Sequence, residues 1–409
     1  YRHRTFALFG GRTMKQASRL MLCIGLIFAL LAGCGLSDSV LRRYGASDGL
    51  MGAETRESQV LEARAPLYTD AEPPLLWGRD QLDDHARAAY DEMSRAIAAY
   101  RQTPLVVDAD TDEIQKILAA LRIDHPEYFW FDGKASFVTK TLAGVPIETE
   151  CSFTYTLDPM EIQEAHQQIR QYTAACLNSL GDTEDDYQRI LGVYRYLIET
   201  TDYVTAESDQ SILSAMSRHQ ATCAGYARSF QYLMGQLGIP CVLATGEMED
   251  GEAHGWNIVK CNGSWYQMDV TWGDPVDPDG TPGSSVQYTY CLVTDEEILR
   301  DHIPDDLLPM PVCTATADNY FIREHLQFDV WDREAYTAAM AEAVIRGQEC
   351  FDVRFSSPAA YEEAMDALFS QEQIWEILAD AGVQAETSVN YSSKDLHLEI
   401  SVRLHSGGN

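Results

Sequence analysis

Residues 222–275 read TCAGYARSFQYLMGQLGIPCVLATGEMEDGEAHGWNIVKCNGSWYQMDVTWGDP, and a cysteine, a histidine and an aspartate fall on three predicted elements within them. Cys223 follows Thr222, a residue type that caps helices, and apolar residues then recur at helical spacing until Gly238 stops the helix. A thiol in the first turn of a helix faces the positive end of the helix dipole, which favours the thiolate. This part of the sequence therefore indicates a sulfur nucleophile.

The second part of the same stretch predicts a β-hairpin. Its turn is the Asn-Gly pair at residues 262–263, which lies between two segments of alternating polarity. Counting outward from that turn pairs Cys261 with Ser264 and places His254 and Asp269 on one face as diagonal neighbours. Diagonal neighbours lie about 7–8 Å apart at the backbone, so an imidazole and a carboxylate can bridge the distance.

Together these residue types predict thiol-mediated acyl transfer. A thiolate at Cys223 would attack a carbonyl, His254 would exchange the proton, and Asp269 would orient the imidazole. Water would hydrolyse the resulting thioester and an amine would convert it into a new amide, and no residue in the stretch decides between them. The backbone N–H of Cys223 is a natural oxyanion donor, with Gln220 as a candidate for the second. Asp274 is an alternative to Asp269, although it follows the expected strand end.

Further residues around these three complete a wider pattern. They are Gly225, Tyr226, Ala227, Trp256, Asn257, Trp265, Tyr266, Thr271, Trp272, Asp274 and Pro275. The pattern resembles the transglutaminase-like superfamily, in particular its bacterial surface proteins, over residues 184–294. The resemblance implies a papain-like α+β core, a Cys-bearing helix packed on an antiparallel sheet, with Cys223 as nucleophile, His254 as base and Asp269 as its partner. It does not imply glutamine cross-linking, because the superfamily includes proteases, amidases and inactive relatives. It does not imply calcium, because the calcium-dependent animal enzymes resemble this pattern only distantly.

Three aromatic residues of this pattern, Tyr226, Trp256 and Trp272, are candidates for the walls of a substrate pocket. We expect no metal or cofactor. Zinc could be bound by a cysteine, a histidine and an aspartate, but no CxxC or HxxxH spacing supports it. The acidic clusters at residues 108–112 and 274–279 fail the EF-hand pattern, so they are interpreted as helix-start acids and a solvated loop.

The N-terminal part has the form of a bacterial lipoprotein signal. Residues 14–34 read MKQASRLMLCIGLIFALLAGC, with Lys15 and Arg19 ahead of an apolar run and a lipobox that ends at Cys34. This predicts cleavage before Cys34 and a lipid on its sulfur, which would tether the rest of the chain outside the membrane. The alternative is an uncleaved anchor, which also places the chain outside the cell.

Composition narrows the choice of partners and of redox chemistry. The net charge of the 409-residue chain is −33, from 30 basic and 63 acidic residues, which argues against nucleic acid and anionic polymers as partners. The ten cysteines would normally suggest disulfides in an exported chain. Once Cys23, Cys34 and Cys223 are set aside, an odd number remains, several in apolar strand-like contexts. Most are therefore expected to be buried thiols.

The chain divides into an N-terminal leader, an accessory α+β region, the catalytic core and a C-terminal α+β module. The C-terminal module is predicted to contain a helix, a strand at residues 350–355, two short helices and one long final strand. The predicted segments are 1–13 (upstream residues), 14–33 (signal peptide), 34–75 (spacer), 76–180 (accessory region), 181–295 (catalytic core), 296–327 (linker) and 328–409 (C-terminal module).

The leading functional hypothesis is a lipid-anchored surface protein that acts on peptide or protein amides. Hydrolysis, as in a cysteine peptidase or amidase, is favoured over transamidation because bulk water outcompetes a dilute amine. The alternative from another class is a catalytically inactive surface binding protein that keeps the fold.

Overall fold

The structure is a computed structural model that describes most of the chain after residue 74. The described residues are 75–142, 145–205, 210–274, 286–348, 350–383 and 388–405. The predicted signal peptide, the predicted lipid-attachment residue Cys34 and nearly all of the predicted spacer lie outside them. Within these ranges, every helix is too short or too polar to cross a bilayer.

The accessory region packs helices against a three-stranded antiparallel sheet with the strand order β1-β3-β2. Its elements are α1 (Trp77–Asp80), α2 (Asp84–Ala98), β1 (Leu105–Val107), α3 (Thr111–Asp124), β2 (Phe131–Leu142), β3 (Val145–Tyr155) and α4 (Pro159–Ser179). Asp110 and Asp158 each form a capping box at the start of a helix, which satisfies otherwise unpaired backbone N–H groups. The acidic residues near Asp110 are therefore helix-start acids, as predicted.

The central part of the chain forms a five-stranded antiparallel sheet with the order β10-β6-β7-β8-β9. Helix α6 packs on β6 and β7, and α5 packs against α6. The elements are α5 (Asp186–Thr200), β4 (Asp202–Tyr203), β5 (Gln220–Ala221), α6 (Cys223–Gln236), β6 (Cys241–Met248), β7 (Ala253–Cys261), β8 (Ser264–Met268), β9 (Cys291–Val293), α7 (Asp295–Ile298) and β10 (His302–Pro304). This arrangement is an α+β core with a Cys-bearing helix on an antiparallel sheet, as predicted.

The hairpin formed by β7 and β8 has the register predicted from its turn. Both residues at 262–263 have positive φ, 48° and 88°, as the tight Asn-Gly turn requires. Cys261 pairs with Ser264, and the ladder continues outward until Asn257 faces Met268, where β8 ends. A slip of one residue would have moved every side chain to the other face.

The segment predicted as a linker, residues 296–327, is instead part of the core. Its strand β10 pairs with β6, and Pro304 lies opposite Gly246. A side chain at Gly246 would clash with the backbone of Ile303, so the glycine is what allows the two strands to approach. The prediction failed because a strand of three residues is too short to show periodicity.

The C-terminal module has its own hydrophobic core and a four-stranded sheet with the order β11-β12-β14-β13. The expected single final strand is a hairpin, β13 with β14. After the short helix α8 (Tyr320–Arg323), its elements are β11 (Gln327–Phe328), α9 (Arg333–Ile345), β12 (Cys350–Phe355), α10 (Pro358–Met365), α11 (Ile374–Asp380), β13 (Ser388–Lys394) and β14 (Glu399–His405).

Polar contacts join this module to the catalytic core. The buried guanidinium of Arg354 donates to Glu297 Oε1 at 2.6 Å and to Asn319 Oδ1 at 2.7 Å. On the other side of the interface, the hydroxyl of Thr289 donates to Glu399 at 2.6 Å. Charged groups held in such surroundings stabilise the interface only while each keeps its partner.

We expect Arg354→Met to lower the free energy of unfolding by about 2–4 kcal/mol, because it leaves the carboxylate of Glu297 half-buried without a counterion. Arg346→Met is the matched control, since the Arg346 pair with Glu342 is exposed and should cost no more than about 0.5 kcal/mol. Urea unfolding followed by tryptophan fluorescence measures both changes. Equal losses in the two variants would contradict a stabilising role for Arg354.

Candidate active site

Cys223 is the first residue of α6 and is partly exposed. Thr222 occupies the N-cap position with extended backbone, so the N–H groups of the first turn point outward without intrahelical partners. Gly255 of β7 lies against Ala224 in that first turn. This contact brings the start of the helix beside His254, the neighbour of Gly255 in the strand.

The structure brings Cys223, His254 and Asp269 together. His254 Nε2 donates to Asp269 Oδ2 at 2.7 Å, and the interaction of the imidazole with Cys223 helps to raise the pKa of His254. The carboxylate is fully buried, and its Oδ1 accepts the backbone N–H groups of Thr271 at 2.9 Å and Trp272 at 3.2 Å. Because Nε2 is engaged by the carboxylate, Nδ1 is the ring nitrogen available for proton exchange with sulfur.

The electrostatics of the pair favour a charged imidazole. Burial lowers the pKa of His254, but the charge and hydrogen bond of Asp269 and the contact with Cys223 outweigh burial and raise this pKa to about 10. Burial alone would raise the pKa of Asp269. Its two imidazole partners, His254 and His302, outweigh burial and hold this pKa below its usual range. Both shifts express one interaction, a buried imidazolium and carboxylate pair that persists through neutral pH.

A second histidine, His302, extends the hydrogen-bonded array formed by His254 and Asp269. His302 Nε2 lies 3.0 Å from Asp269 Oδ2, and its Nδ1 lies 2.7 Å from Asp301 Oδ1. The hydroxyl of Tyr290 donates to the other oxygen of Asp301 and contacts His397 Nε2 of the C-terminal module at 3.0 Å. Sequence reasoning missed His302 and Asp301 because they lie in the predicted linker, where no spacing connects them to the catalytic residues.

Asp274 does not contact the imidazole. Its carboxylate accepts the hydroxyl of Tyr226, and burial with the nearby charge of Asp202 raises the pKa of Asp274 to about 6. Tyr226 is fully buried, and its single hydroxyl proton is shared between Asp274 and the carbonyl of Thr201, so the ring braces the core beneath the cysteine. Tyr226 therefore does not line a substrate pocket, contrary to the expectation from sequence.

The other two aromatic candidates are placed differently from each other. Trp256 is buried, donates to Gln267 Oε1 at 2.8 Å and stacks on the His254 ring, so it supports the imidazole from behind. The hydrogen bond to Gln267 holds the Trp256 ring in the core, so the prediction that Trp256 lines a substrate pocket was wrong. Trp272 is 49% exposed, and Tyr203, whose pKa is raised by burial and by the charge of Cys223, is 38% exposed. These two rings are the aromatic surface that a substrate could reach.

The backbone N–H of Cys223 and the side chain of Gln220 stay predicted oxyanion donors. Cys223 presents a first-turn backbone N–H, and Gln220 lies three residues earlier on β5 with its side chain exposed. Because β5 is held against β4, the backbone before the nucleophile is fixed in place.

All cysteines within the described ranges are free thiols, and most of them are buried, as expected. Burial raises the pKa of Cys151 to about 11 and that of Cys176 to about 12, which keeps these thiols protonated and unreactive. Cys223 and Cys350 are the two that are partly exposed within the described part of the chain.

His254, Asp269 and His302 could in principle hold a metal ion, since their ligand atoms lie within 4.8 Å of one another. However, both imidazoles approach a single carboxylate oxygen at 2.7 and 3.0 Å. Ligands of a tetrahedral zinc would be separated by roughly 3.3 Å, given zinc–ligand bonds of about 2.0 Å. Hydrogen bonds therefore account for this geometry.

Residues 174–270 match the family model of the Transglutaminase-like superfamily. The chain therefore contains a transglutaminase-like domain. The match includes Cys223, His254 and Asp269 and ends before Asp301 and His302. The second imidazole of the array thus lies outside the matched part of this transglutaminase-like domain.

Named relatives share only part of the chain. Over 146 residues the sequence is 25% identical to Kyphoscoliosis peptidase of Mus musculus and 26% identical to that of Homo sapiens. Each alignment covers 31% of this chain and 22% of the relative, so the chain spans about a fifth of the length of these curated relatives. The crystal structure of a TGase is similar over 41% of this chain and 51% of its own, with 14% identity and a TM-score of 0.25.

The raised pKa of His254 predicts a pH-dependent contribution to stability. Because the folded-state value of about 10 exceeds the ordinary 6.5, the contribution is complete below pH 6.5 and is lost as pH rises to about 10. The stability difference between wild type and His254→Gln should therefore shrink by about 2–5 kcal/mol over this range. Urea unfolding at pH 6, 8 and 10 measures it.

The matched control is His325→Gln, which replaces an exposed histidine. Its difference from wild type should stay nearly constant with pH. If the His254→Gln difference were also constant, the imidazolium and carboxylate pair would not exist in solution.

Proposed function

We propose that the transglutaminase-like domain cleaves amide bonds in peptides or proteins through a thioester on Cys223. The observation that carries this proposal is the imidazole of His254, which is paired with the buried carboxylate of Asp269 and also interacts with the partly exposed thiol of Cys223. A protonated imidazole beside the sulfur favours the thiolate, and the same proton is then available for the leaving group.

In the first half-reaction, the thiolate of Cys223 attacks the amide carbonyl carbon and forms a C–S bond while the carbonyl electrons move onto oxygen. The first-turn backbone N–H stabilises that oxyanion. When the tetrahedral intermediate collapses, the C–N bond breaks and His254 gives its proton to the departing amine. The acyl group remains on sulfur as a thioester, and the imidazole is left neutral.

In the second half-reaction, the neutral imidazole takes a proton from water while the water oxygen attacks the thioester carbonyl. The C–S bond breaks, a carboxylic acid leaves, and the thiolate and imidazolium pair is restored. A primary amine in place of water would give a new amide. Hydrolysis is favoured because water is far more concentrated than any amine, and the relatives that align with this segment are named peptidases.

A peptide library incubated with and without an added primary amine tests this function. Wild type should generate new carboxyl termini, identified by mass spectrometry, and Cys223→Ala should generate none because it lacks the nucleophile. Cys350→Ala is the matched control, since it removes the other partly exposed thiol among the described residues and should keep full activity. Amine adducts in place of carboxylates would indicate transamidation, and no Cys223-dependent product at all would support a non-catalytic binding role.

We also propose that the mature protein is anchored outside the bacterial membrane by a lipid on Cys34. The support is the form of residues 14–34, a short basic region, an apolar run and the Leu-Ala-Gly-Cys ending. Such an anchor would hold the domain close to surface proteins or peptides as substrates.

When the full chain is expressed in a bacterial host supplied with labelled fatty acid, wild type should incorporate the label. Cys34→Ala should not, because the acceptor sulfur is gone. Cys23→Ala, which changes a cysteine inside the apolar run, is the matched control and should still be labelled. Equal labelling of all three proteins would show that Cys34 is not the attachment site.

A further inference from the structure

His302 faces a carboxylate on each side of its ring. Nε2 lies 3.0 Å from Asp269 and Nδ1 lies 2.7 Å from Asp301, and the side chain is fully buried. A neutral imidazole carries a proton on only one nitrogen, whereas both nitrogens of an imidazolium are donors. When both carboxylates are ionised they can only accept, so this geometry then requires the doubly protonated, positively charged ring.

We propose that His302 is a positioning residue of the candidate active site, a buried cation that fixes the Asp269 carboxylate and weakens the hold of His254 on its proton. This inference rests on the proposed function of the Cys223 site. It assigns a role to a residue outside the segment that matches the transglutaminase-like superfamily.

Packing holds the His302 ring in one orientation. Its backbone is tied to β6, where His302 pairs with Met248. The rings of Trp256 and Tyr290 meet it edge to face, with centroids 5.1 and 5.0 Å away. A ring held in this way fixes the Oδ2 atom of Asp269, while the backbone N–H groups after the strand fix Oδ1.

The charges around His302 explain its effect on His254. Both carboxylates stay ionised: burial raises the pKa of Asp301, but hydrogen bonds from His302, His397 and Tyr290 hold this pKa below its usual range. Burial lowers the pKa of His302 itself, and its bonds to Asp269 and Asp301 raise it overall. The described groups facing the ring are thus two anions, the phenol of Tyr290 and the imidazole of His254.

Two effects of His302 act on His254 in the same direction. The rings of His302 and His254 are 5.4 Å apart, so two positive charges repel each other across the shared carboxylate. His302 also takes up part of the hydrogen-bonding capacity of Asp269 Oδ2, which leaves less for His254. Without His302, His254 would hold its proton more tightly and would be a weaker acid towards the leaving amine.

The test uses two substrates with the same acyl group, an amide and an activated ester, assayed with the full chain. Cleavage of the amide needs a proton from His254, whereas the ester leaving group departs without one. For His302→Gln we expect kcat/KM on the amide to fall about tenfold, with less than about twofold change on the ester. Misplacement of the cysteine would slow both substrates equally and would overturn the proposal.

Asp301→Asn is the second variant, because it leaves His302 in place and removes the carboxylate that keeps its second proton. It should show the same selective loss on the amide. His325→Gln is the matched control, an exposed histidine that should change neither rate. Thermal unfolding of each variant separates these effects from loss of the fold.

Charge on His302 can also be read without any substrate. In protein labelled with ¹⁵N-histidine, both His302 ring nitrogens should show imidazolium chemical shifts at pH 7 in wild type, and a neutral ring should appear in Asp301→Asn. A neutral His302 in wild type would overturn the inference. If neither substrate gave a Cys223-dependent product, the proposed function would fail, and the nitrogen shifts would still decide the charge.

Discussion

The carboxylate of Asp269 is the group on which the site depends. A charge buried this completely is strongly destabilising unless every oxygen is paired. Two backbone N–H groups satisfy one oxygen and two imidazoles satisfy the other. The end of β8, the start of β7 and strand β10 must therefore all be in place before the carboxylate can be buried. The geometry of the candidate site is thus coupled to the assembly of the sheet.

Sequence could predict the nucleophile helix and the hairpin because each carries strong local signals. Helical periodicity follows Cys223, and the Asn-Gly turn sets the register that brings His254 and Asp269 to one face. Tyr226 and Trp256 were misjudged because an aromatic residue near a catalytic residue looks the same in sequence whether it faces substrate or core. Their buried hydrogen-bond acceptors, which are distant in sequence, decide the matter.

The second half of the array could not be predicted for a related reason. His302 reaches Asp269 only through a three-residue strand, and so short a strand has no periodicity of its own. Its pairing depends on a backbone approach to β6, which is a tertiary property. The C-terminal module then reaches the same array through His397, which contacts Tyr290 and Asp301 at its outer edge.

Gly246 sets a steric condition for the pairing of β10 with β6. The backbone of β10 at Ile303 occupies the space that a side chain at position 246 would fill. A single methyl group at this position would push β10 away and carry the second imidazole with it. The chemistry proposed for Cys223 therefore depends on a residue with no functional group, in the strand position opposite His254, whose contribution is the absence of an atom.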